Sequence, residues 1–576
     1  MQISLITLNA RYSHSCPALF HVRNALAQAM PGSRLLLRQF TINDPYYQTL
    51  VRITSDQPQA ICFSVYIWNA EYTMRLVGDL HRILPKVLII LGGPEATFMA
   101  VESLPAGCTV VRGEVEGLGD DFFRDLAAGI LQAEYLAASG PLFAMPYRES
   151  DFAPHLENRN IYYESSRGCP FSCSYCLSSV GQGVRYRELG EVERDLAQIL
   201  SHGPKIIRFV DRTFNALPER ALAIWRWLLA QPGETLFHFE IAPDLFSEEM
   251  LSFLAEVPQG RFQFEIGLQS TNPATLEAVN RRMDLARAGE NIRRLVAAGN
   301  IHLHLDLILG LPCETEATFR TSLNEAFAMA PHHLQMGLLK VLPGTAISRA
   351  AEEFGLVSSA TPPYSVLATR WLDHADLRRL FWLGECLEGF YNNRFFRNIL
   401  EYIRKTGEEP FGFFAQLLTI CQGADFFALA KTQEFMTRML VELAQDRTDG
   451  ELFCELVRFD WLVSGQRLSA PLLDAESSKE IRDHLWRRLP EELPPHYARL
   501  TRNEFFKRGV FARFSAALLK AVGLADGDSS GYVCFLPEQE HVAGHQRQRH
   551  TVFFLEEQPG PGIVASTGSA RADFTL

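Results

Sequence analysis

The 576-residue sequence predicts an α/β protein in three parts: a doubly wound parallel sheet, a partial barrel of six strand–helix units, and a mainly helical remainder. Three observations carry this prediction. Strand-like and helix-like stretches alternate from residue 2 to 128, and alternate again from 161 to 342 after a gap punctuated by Gly140, Pro141, Pro146 and Pro154. Beyond residue 370, Leu, Phe, Arg and Glu recur at helical spacing with few strand signals. The composition, 47% hydrophobic and 21% charged, is that of a globular chain able to bury several cores, at about 100–200 residues per domain.

The elements follow in order. QISLITLN (2–9) reads as a buried strand, 18–29 as a helix, SRLLLRQF (33–40) as a weaker strand, ICFSVYI (61–67) as a strand and 71–84 as a helix. VLIILGG (87–93) and CTVVRGE (108–114) are further strands, and 118–128 is a helix. This pattern makes 1–138 a Rossmann-like parallel sheet domain. Residues 139–160 read as a linker. From 161 to 370, six strands (161–166, 205–211, 236–242, 261–270, 301–310, 333–342) alternate with five helices, the pattern of a partial TIM-like (β/α)6 barrel. Residues 371–576 read as mainly helical. Within them GYVCFLP and HTVFFLE are possible strands, and GPGIVASTGSARADF reads as a loose tail. Ligands are expected at the C-terminal edges of both sheets.

Several function classes fall away. With 55 Lys+Arg against 67 Asp+Glu the net charge is -12, which argues against nucleic-acid binding. Arg499, Arg502, Lys507 and Arg508 read as a solvated helix face. No apolar run approaches the roughly 20 residues of a membrane helix. MQISLITLNARYSH lacks a basic segment followed by a long apolar one, so no signal peptide is expected and the protein is placed in the cytoplasm.

Eight of the eleven cysteines are scattered singly, but Cys169, Cys173 and Cys176 share one short loop, ESSRGCPFSCSYCLSS. Three soft thiolates at C-x3-C-x2-C spacing can converge on one metal centre. Structural zinc usually takes four protein ligands, and the nearest histidines, His155 and His202, are isolated. A four-iron cluster is also held by thiolates, and three of them leave one iron open.

This loop, placed after the first strand of a βα series, resembles the signature of the radical S-adenosylmethionine (SAM) superfamily, including the aromatic Tyr175 before the last cysteine. The resemblance implies a 4Fe–4S cluster on Cys169, Cys173 and Cys176. Its open iron would chelate SAM, and an electron from a flavodoxin- or ferredoxin-type donor would cleave SAM to a 5′-deoxyadenosyl radical. It also implies SAM contacts at strand ends: Asp211 in FVDRTFN, Glu265 and Gln269 in FEIGLQS, and Gly310 in LILGLP. The family's glycine–glycine–glutamate motif after the second strand is absent.

FSVYIWN (63–69), LGGPEAT (91–97) and RGEVEG (112–117) each end a strand in the first domain, and together they resemble the cobalamin-binding domain that precedes the barrel in one radical SAM class. The resemblance implies cobalamin contacts at Ser64, Gly92, Gly93, Pro94, Gly113 and Glu114, with Tyr66, Trp68 and Asn69 along the corrin edge. The D-x-H-x-x-G motif of classical cobalamin domains is replaced by NARYSHS, so His14 is not assigned as a cobalt ligand. The combination is similar to an uncharacterised bacterial subgroup with a helical C-terminal domain. It implies radical C-methylation, or a related transformation, of an unknown small-molecule or macromolecular substrate. Two alternatives stand beside it: a tRNA-modifying enzyme of the methylthiotransferase type, and a non-enzymatic scaffold stapled by zinc.

Overall fold

The computed structural model describes every residue except 106, 139–142, 182, 468–469, 471, 474–477, 489–500, 543–544, 558–562 and 567–576. The N-terminal part runs β1 (Gln2–Asn9), α1 (Pro17–Ala29), β2 (Arg34–Thr41), α2 (Tyr46–Ser55), β3 (Ala60–Ser64), α3 (Ala70–Ile83), β4 (Leu88–Gly92), β5 (Cys108–Arg112), α4 (Asp120–Ala128) and β6 (Glu134–Leu136). Its strands pair in parallel in the order β2-β1-β3-β4-β5-β6. Helices cover both faces, so β1 is buried from Ile3 to Asn9. The strand order reverses between β1 and β3, which opens a crevice at the C-terminal ends of those two strands. Helix α2 and strand β6 add to the expected set.

The central part contains β7 (Ile161–Tyr163), β8 (Ser166–Gly168), β9 (Val184–Tyr186), α5 (Leu189–Leu200), β10 (Ile206–Phe209), α6 (Pro218–Ala230), β11 (Leu236–Ile241) and α7 (Glu248–Ala255). It continues through β12 (Phe262–Gln269), α8 (Pro273–Ala278), α9 (Leu285–Ala298), β13 (His302–Leu309), α10 (Glu316–Ala328) and β14 (His333–Leu338). Six parallel strands in the order β14-β13-β12-β11-β10-β7 make the open barrel that the pattern predicts. Along β12 and β13 every second residue is buried against the helices. The alternate residues face the barrel interior. The strand expected over 161–166 is broken after Tyr163. Asp211 accepts from the Ser165 amide at 3.0 Å and from the Ser165 and Ser166 hydroxyls at 2.6 Å each, and 166–168 pairs with β9 as an antiparallel ribbon instead.

Beyond the barrel lie α11 (Ala346–Arg349), β15 (Val357–Ser358), β16 (Val366–Ala368), α12 (His374–Leu387), α13 (Arg397–Thr406), α14 (Pro410–Gly423), α15 (Gln433–Gln445) and α16 (Gly450–Val463). Helix α12 packs on the barrel's edge strand, its Gly384 against Met336 of β14. Asn392 then bonds both the amide and the carbonyl of Leu334, covering backbone that an edge strand would otherwise expose. The chain ends in α17 (Ser478–Arg488), α18 (Arg502–Arg508), β17 (Val510–Phe514), α19 (Ala516–Ala521), β18 (Gly531–Val542), β19 (His545–Glu557) and β20 (Ile563–Ser566). The four strands form one antiparallel sheet. The loose-tail reading is therefore corrected at 563–566, which pair with β19, while 567–576 lie outside the described residues. Arg499 also lies outside them, and Arg502 stacks over the Trp486 ring at 4.2 Å. Among the described residues no helix is long and apolar enough to cross a membrane.

Candidate active site

The three-cysteine loop follows β8 and is pinned from several sides. Ser174 donates its amide to Val279 at the end of α8 and accepts the amide of Ile347 on α11. Asn280 donates to the Ser172 carbonyl at 3.1 Å and to its hydroxyl at 2.7 Å, while the Ser179 hydroxyl bonds the carbonyls of Cys173 and Cys176. Cys173 is buried, and Cys169 and Cys176 are half-buried. Burial pushes the Cys169 thiol up against the hydrogen bonds of the Phe171 amide and the Thr213 hydroxyl, and the nearby Cys176 and Cys173 thiols add to the push. Among the described residues no three His, Cys, Asp or Glu side chains gather as a single-ion site. Three thiols on one loop are the donor set of a four-iron core with one open corner, whereas structural zinc takes four protein ligands.

Arg281, which sequence reasoning passed over, ties this loop to β12. Its Nη1 lies 3.6 Å from Cys173 Sγ and 3.3 Å from the Tyr175 hydroxyl, and its Nη2 donates to the Gly267 carbonyl. Gln269, at the end of the same strand, holds a left-handed φ of 70° beyond a register shift. Its Oε1 is buried without a hydrogen-bond partner among the described residues, an unmatched acceptor where a ligand is expected.

The barrel wall carries a polar belt. In register, Tyr162 lies beside Arg208 and Arg208 beside His238, and one layer up Glu240 lies beside Glu265 and Glu265 beside His304. Glu265 Oε2 is 3.0 Å from His238 Nε2 and 3.5 Å from Arg208 Nη2. The His238 hydrogen bond holds the Glu265 carboxyl down to about 2, whereas burial pushes neighbouring Glu240 up to about 7 against the pull of Arg212. The belt contains one expected residue, Glu265. Arg208, His238 and His304 were missed, although polar residues at alternate positions of otherwise apolar strands are a readable sign of an inward-facing polar wall.

One cavity of about 980 Å³ joins this wall to the N-terminal crevice. Glu240, Glu265, His238, Arg208 and Tyr162 line one side, and Ser64, Tyr66, Trp68, Gly92, Gly93, Pro94, Gly113 and Glu114 line the other. Between α1, α4 and the sheet the cavity runs into an apolar slot walled by Leu19, Val22, Leu26, Ile90, Val111 and Phe122. Gly93 has φ 106°, and a Cβ there would stand 2.7 Å from the Val65 carbonyl, so no other residue brings the chain as close to this edge. The Tyr66 and Trp68 rings stack at 4.3 Å. This apolar, glycine-floored slot at a strand-order reversal has the character needed to hold a nucleotide-tailed cofactor.

Three expected contacts, Asp211, Gly310 and Asn69, do not line this cavity. Asp211 is 2% exposed and its two oxygens accept from Ser165 and Ser166, which braces the broken strand. Gly310 faces Val366, which a Cβ would meet at 2.7 Å. Asn69 is wholly buried, and its amide binds the carbonyls of Leu8 and Ser64 and the amide of Tyr66. Glu114 does line the cavity, but its carboxylate is engaged by Arg167 and Arg185.

Three family models match the chain: the B12 binding domain over residues 3–122, the radical SAM superfamily over 163–326, and a protein family of unknown function, DUF4080, over 352–535. Residues 3–122 thus match a B12 binding domain and residues 163–326 match the radical SAM superfamily, and the cofactors are cobalamin and SAM with its iron–sulfur cluster. Among curated proteins it is 25% identical over 345 residues to the cobalamin-dependent radical SAM methyltransferase TokK of Streptomyces tokunonensis, covering 52% of this chain and 50% of that one. It is 28% identical over 229 residues to the tRNA-2-methylthio-N(6)-dimethylallyladenosine synthase of Chloroflexus aurantiacus, covering 38% and 48%. The chain spans about half the length of these relatives. Among solved structures, the cobalamin-dependent SAM radical enzyme OxsB with aqua-cobalamin and SAM bound shares the fold at a TM-score of 0.51 and 14% identity, over 84% of this chain and 75% of that one.

Proposed function

We propose that this protein is a cobalamin-dependent radical SAM methyltransferase acting on a substrate held between its barrel and its N-terminal domain, in a chain divided at 1–138, 139–160, 161–370 and 371–576. The observation that carries the reading is the single cavity walled by the C-terminal edge of one sheet and the polar interior of the other. When bound, SAM on its cluster supplies hydrogen abstraction and cobalamin supplies the methyl group. In this reading Cys169, Cys173 and Cys176 hold the cluster, Arg281 and Tyr175 back it, and Gln269 and Glu265 meet SAM. Ser64, Tyr66, Trp68, Gly92, Gly93, Pro94 and Gly113 border cobalamin. Arg208 and His238, which line the cavity, orient the substrate. The reductant is of the flavodoxin or ferredoxin type, and the site of action is the cytoplasm.

Enzymes of the methylthiotransferase type usually hold a second three-cysteine cluster in the N-terminal domain. The cysteines there do not share a loop: Cys16 precedes α1, Cys62 lies on β3 and Cys108 opens β5, and each is buried. The zinc-scaffold alternative finds no single-ion site among the described residues. The test is anaerobic reconstitution with iron, sulfide and hydroxocobalamin, followed by reduction in the presence of SAM. Wild type should take up iron and sulfide, bind hydroxocobalamin and release 5′-deoxyadenosine, whereas Cys173→Ala should lose the iron–sulfur absorbance. Absence of 5′-deoxyadenosine from loaded, reduced protein refutes the reading.

A further inference from the structure

The ribbon that opens the cysteine loop is tied by charge to the N-terminal sheet. Arg167 stands on β8, two residues before Cys169, directly across from Arg185 on β9. Its guanidinium is shared by three carboxylates. Nη1 donates to Glu114 at 3.0 Å and to Glu116 at 3.2 Å, and Nη2 donates to Glu164 at 2.6 Å and to Glu116 at 3.2 Å. Arg185 pairs with the second oxygen of Glu114. Both guanidinium groups lie over the buried Phe143 ring, at 4.4 and 5.9 Å. Glu116 is also 3.1 Å from His21 Nδ1 of α1.

The carboxylates come from two sides. Glu164 belongs to the barrel, while Glu114 and Glu116 sit on the loop that leaves β5, and all three line the cavity. The Arg167 side chain is 18% exposed, so the attraction is less screened than that of a surface pair. A ligand seated against 113–116 orders the carboxylates that grip Arg167, and a core that fixes Cys169 fixes the backbone from which Arg167 extends.

We propose that Arg167 is a positioning residue that couples the two cofactor sites, so that the cysteine loop and the N-terminal slot fill cooperatively through the Glu114–Arg167–Glu116 junction. The proposal rests on the functional reading above. Because coupling between two sites is reciprocal, it can be read from either one.

The experiment titrates hydroxocobalamin into full-length protein with and without a reconstituted iron–sulfur cluster, followed by visible absorbance. Cluster-loaded wild type should bind about tenfold more tightly than cluster-free wild type. The ratio should fall to unity in Arg167→Met and in the Glu114→Gln/Glu116→Gln double variant, and Arg167→Lys, which keeps the charge but loses the fork, should retain part of it. A fold merely weakened by substitution would shift both affinities and leave their ratio alone. Circular dichroism checks folding, and if Arg167→Met does not fold, the near-isosteric double variant carries the test. A wild-type ratio of one, or a ratio that persists in the folded variants, overturns the coupling. A wild type that takes up neither cobalamin nor cluster overturns the functional reading itself.

Discussion

Glu314 has no exposed surface, and its carboxyl accepts from the Ser270 hydroxyl at 2.6 Å. Burial pushes its carboxyl up to about 8 from an ordinary 4.5. A carboxyl with a raised folded pKa holds its proton more tightly folded than unfolded. Its stabilising effect is therefore complete below pH 4.5 and is lost as the pH rises through 8. Glu314→Gln keeps the shape and removes the titration. The thermal midpoint of the variant should gain on wild type steadily between pH 6 and pH 8, as differential scanning at a series of pH values would show. Such a residue is invisible in a linear reading, since an acid after a strand looks like an ordinary helix cap. The cysteine loop was legible for the opposite reason: its chemistry lies within eight consecutive positions, Cys169 to Cys176.

Helix α13 depends on a residue from another helix. Asp460 of α16 is 1% exposed and accepts from the backbone amides of Asn398 and Ile399, at 3.2 and 3.0 Å, and from the Asn398 side chain at 2.6 Å. A first helical turn leaves its amides unpaired, and here a distant carboxylate satisfies two of them. Asp460→Ala strands those donors in an apolar interior and should cost about 2–4 kcal/mol, with Asp460→Asn costing about half as much, measured by urea unfolding. Most elements were readable in the sequence, because strand alternation and helical spacing are local. The misreadings fall where a tertiary contact overrides a local pattern. Asp211 breaks the strand expected over 161–166, and β19 recruits residues 563–566 from what read as a tail.

The C-terminal edge of one parallel sheet faces the polar interior of the other across one cavity. The slot beneath α1 and α4 can be closed without touching the cysteine loop. Val22→Trp, pointing a large ring into that slot, should weaken hydroxocobalamin binding by at least about tenfold, roughly 1.4 kcal/mol, while iron and sulfide uptake stay at wild-type stoichiometry. Equilibrium titration together with iron analysis checks both halves. The C-terminal part contributes closure, with α12 and Asn392 covering the β14 edge that an open barrel leaves bare.

Order along the chain was enough to announce a doubly wound sheet, a six-unit barrel and a three-thiol loop, because each is written in short-range periodicity or in neighbouring residues. What faces what was settled by folding. Arg167 and Glu114 are 53 positions apart, and Arg208 and Glu265 are 57 apart. Their pairing depends on strand register and on how two sheets dock, and neither is set by local pattern. The same long-range packing surrounds Asp211 with Ser165 and Ser166 and ties Asn69 to Leu8 and Ser64: a buried polar group at a strand end bonds whatever the neighbouring chain brings to it.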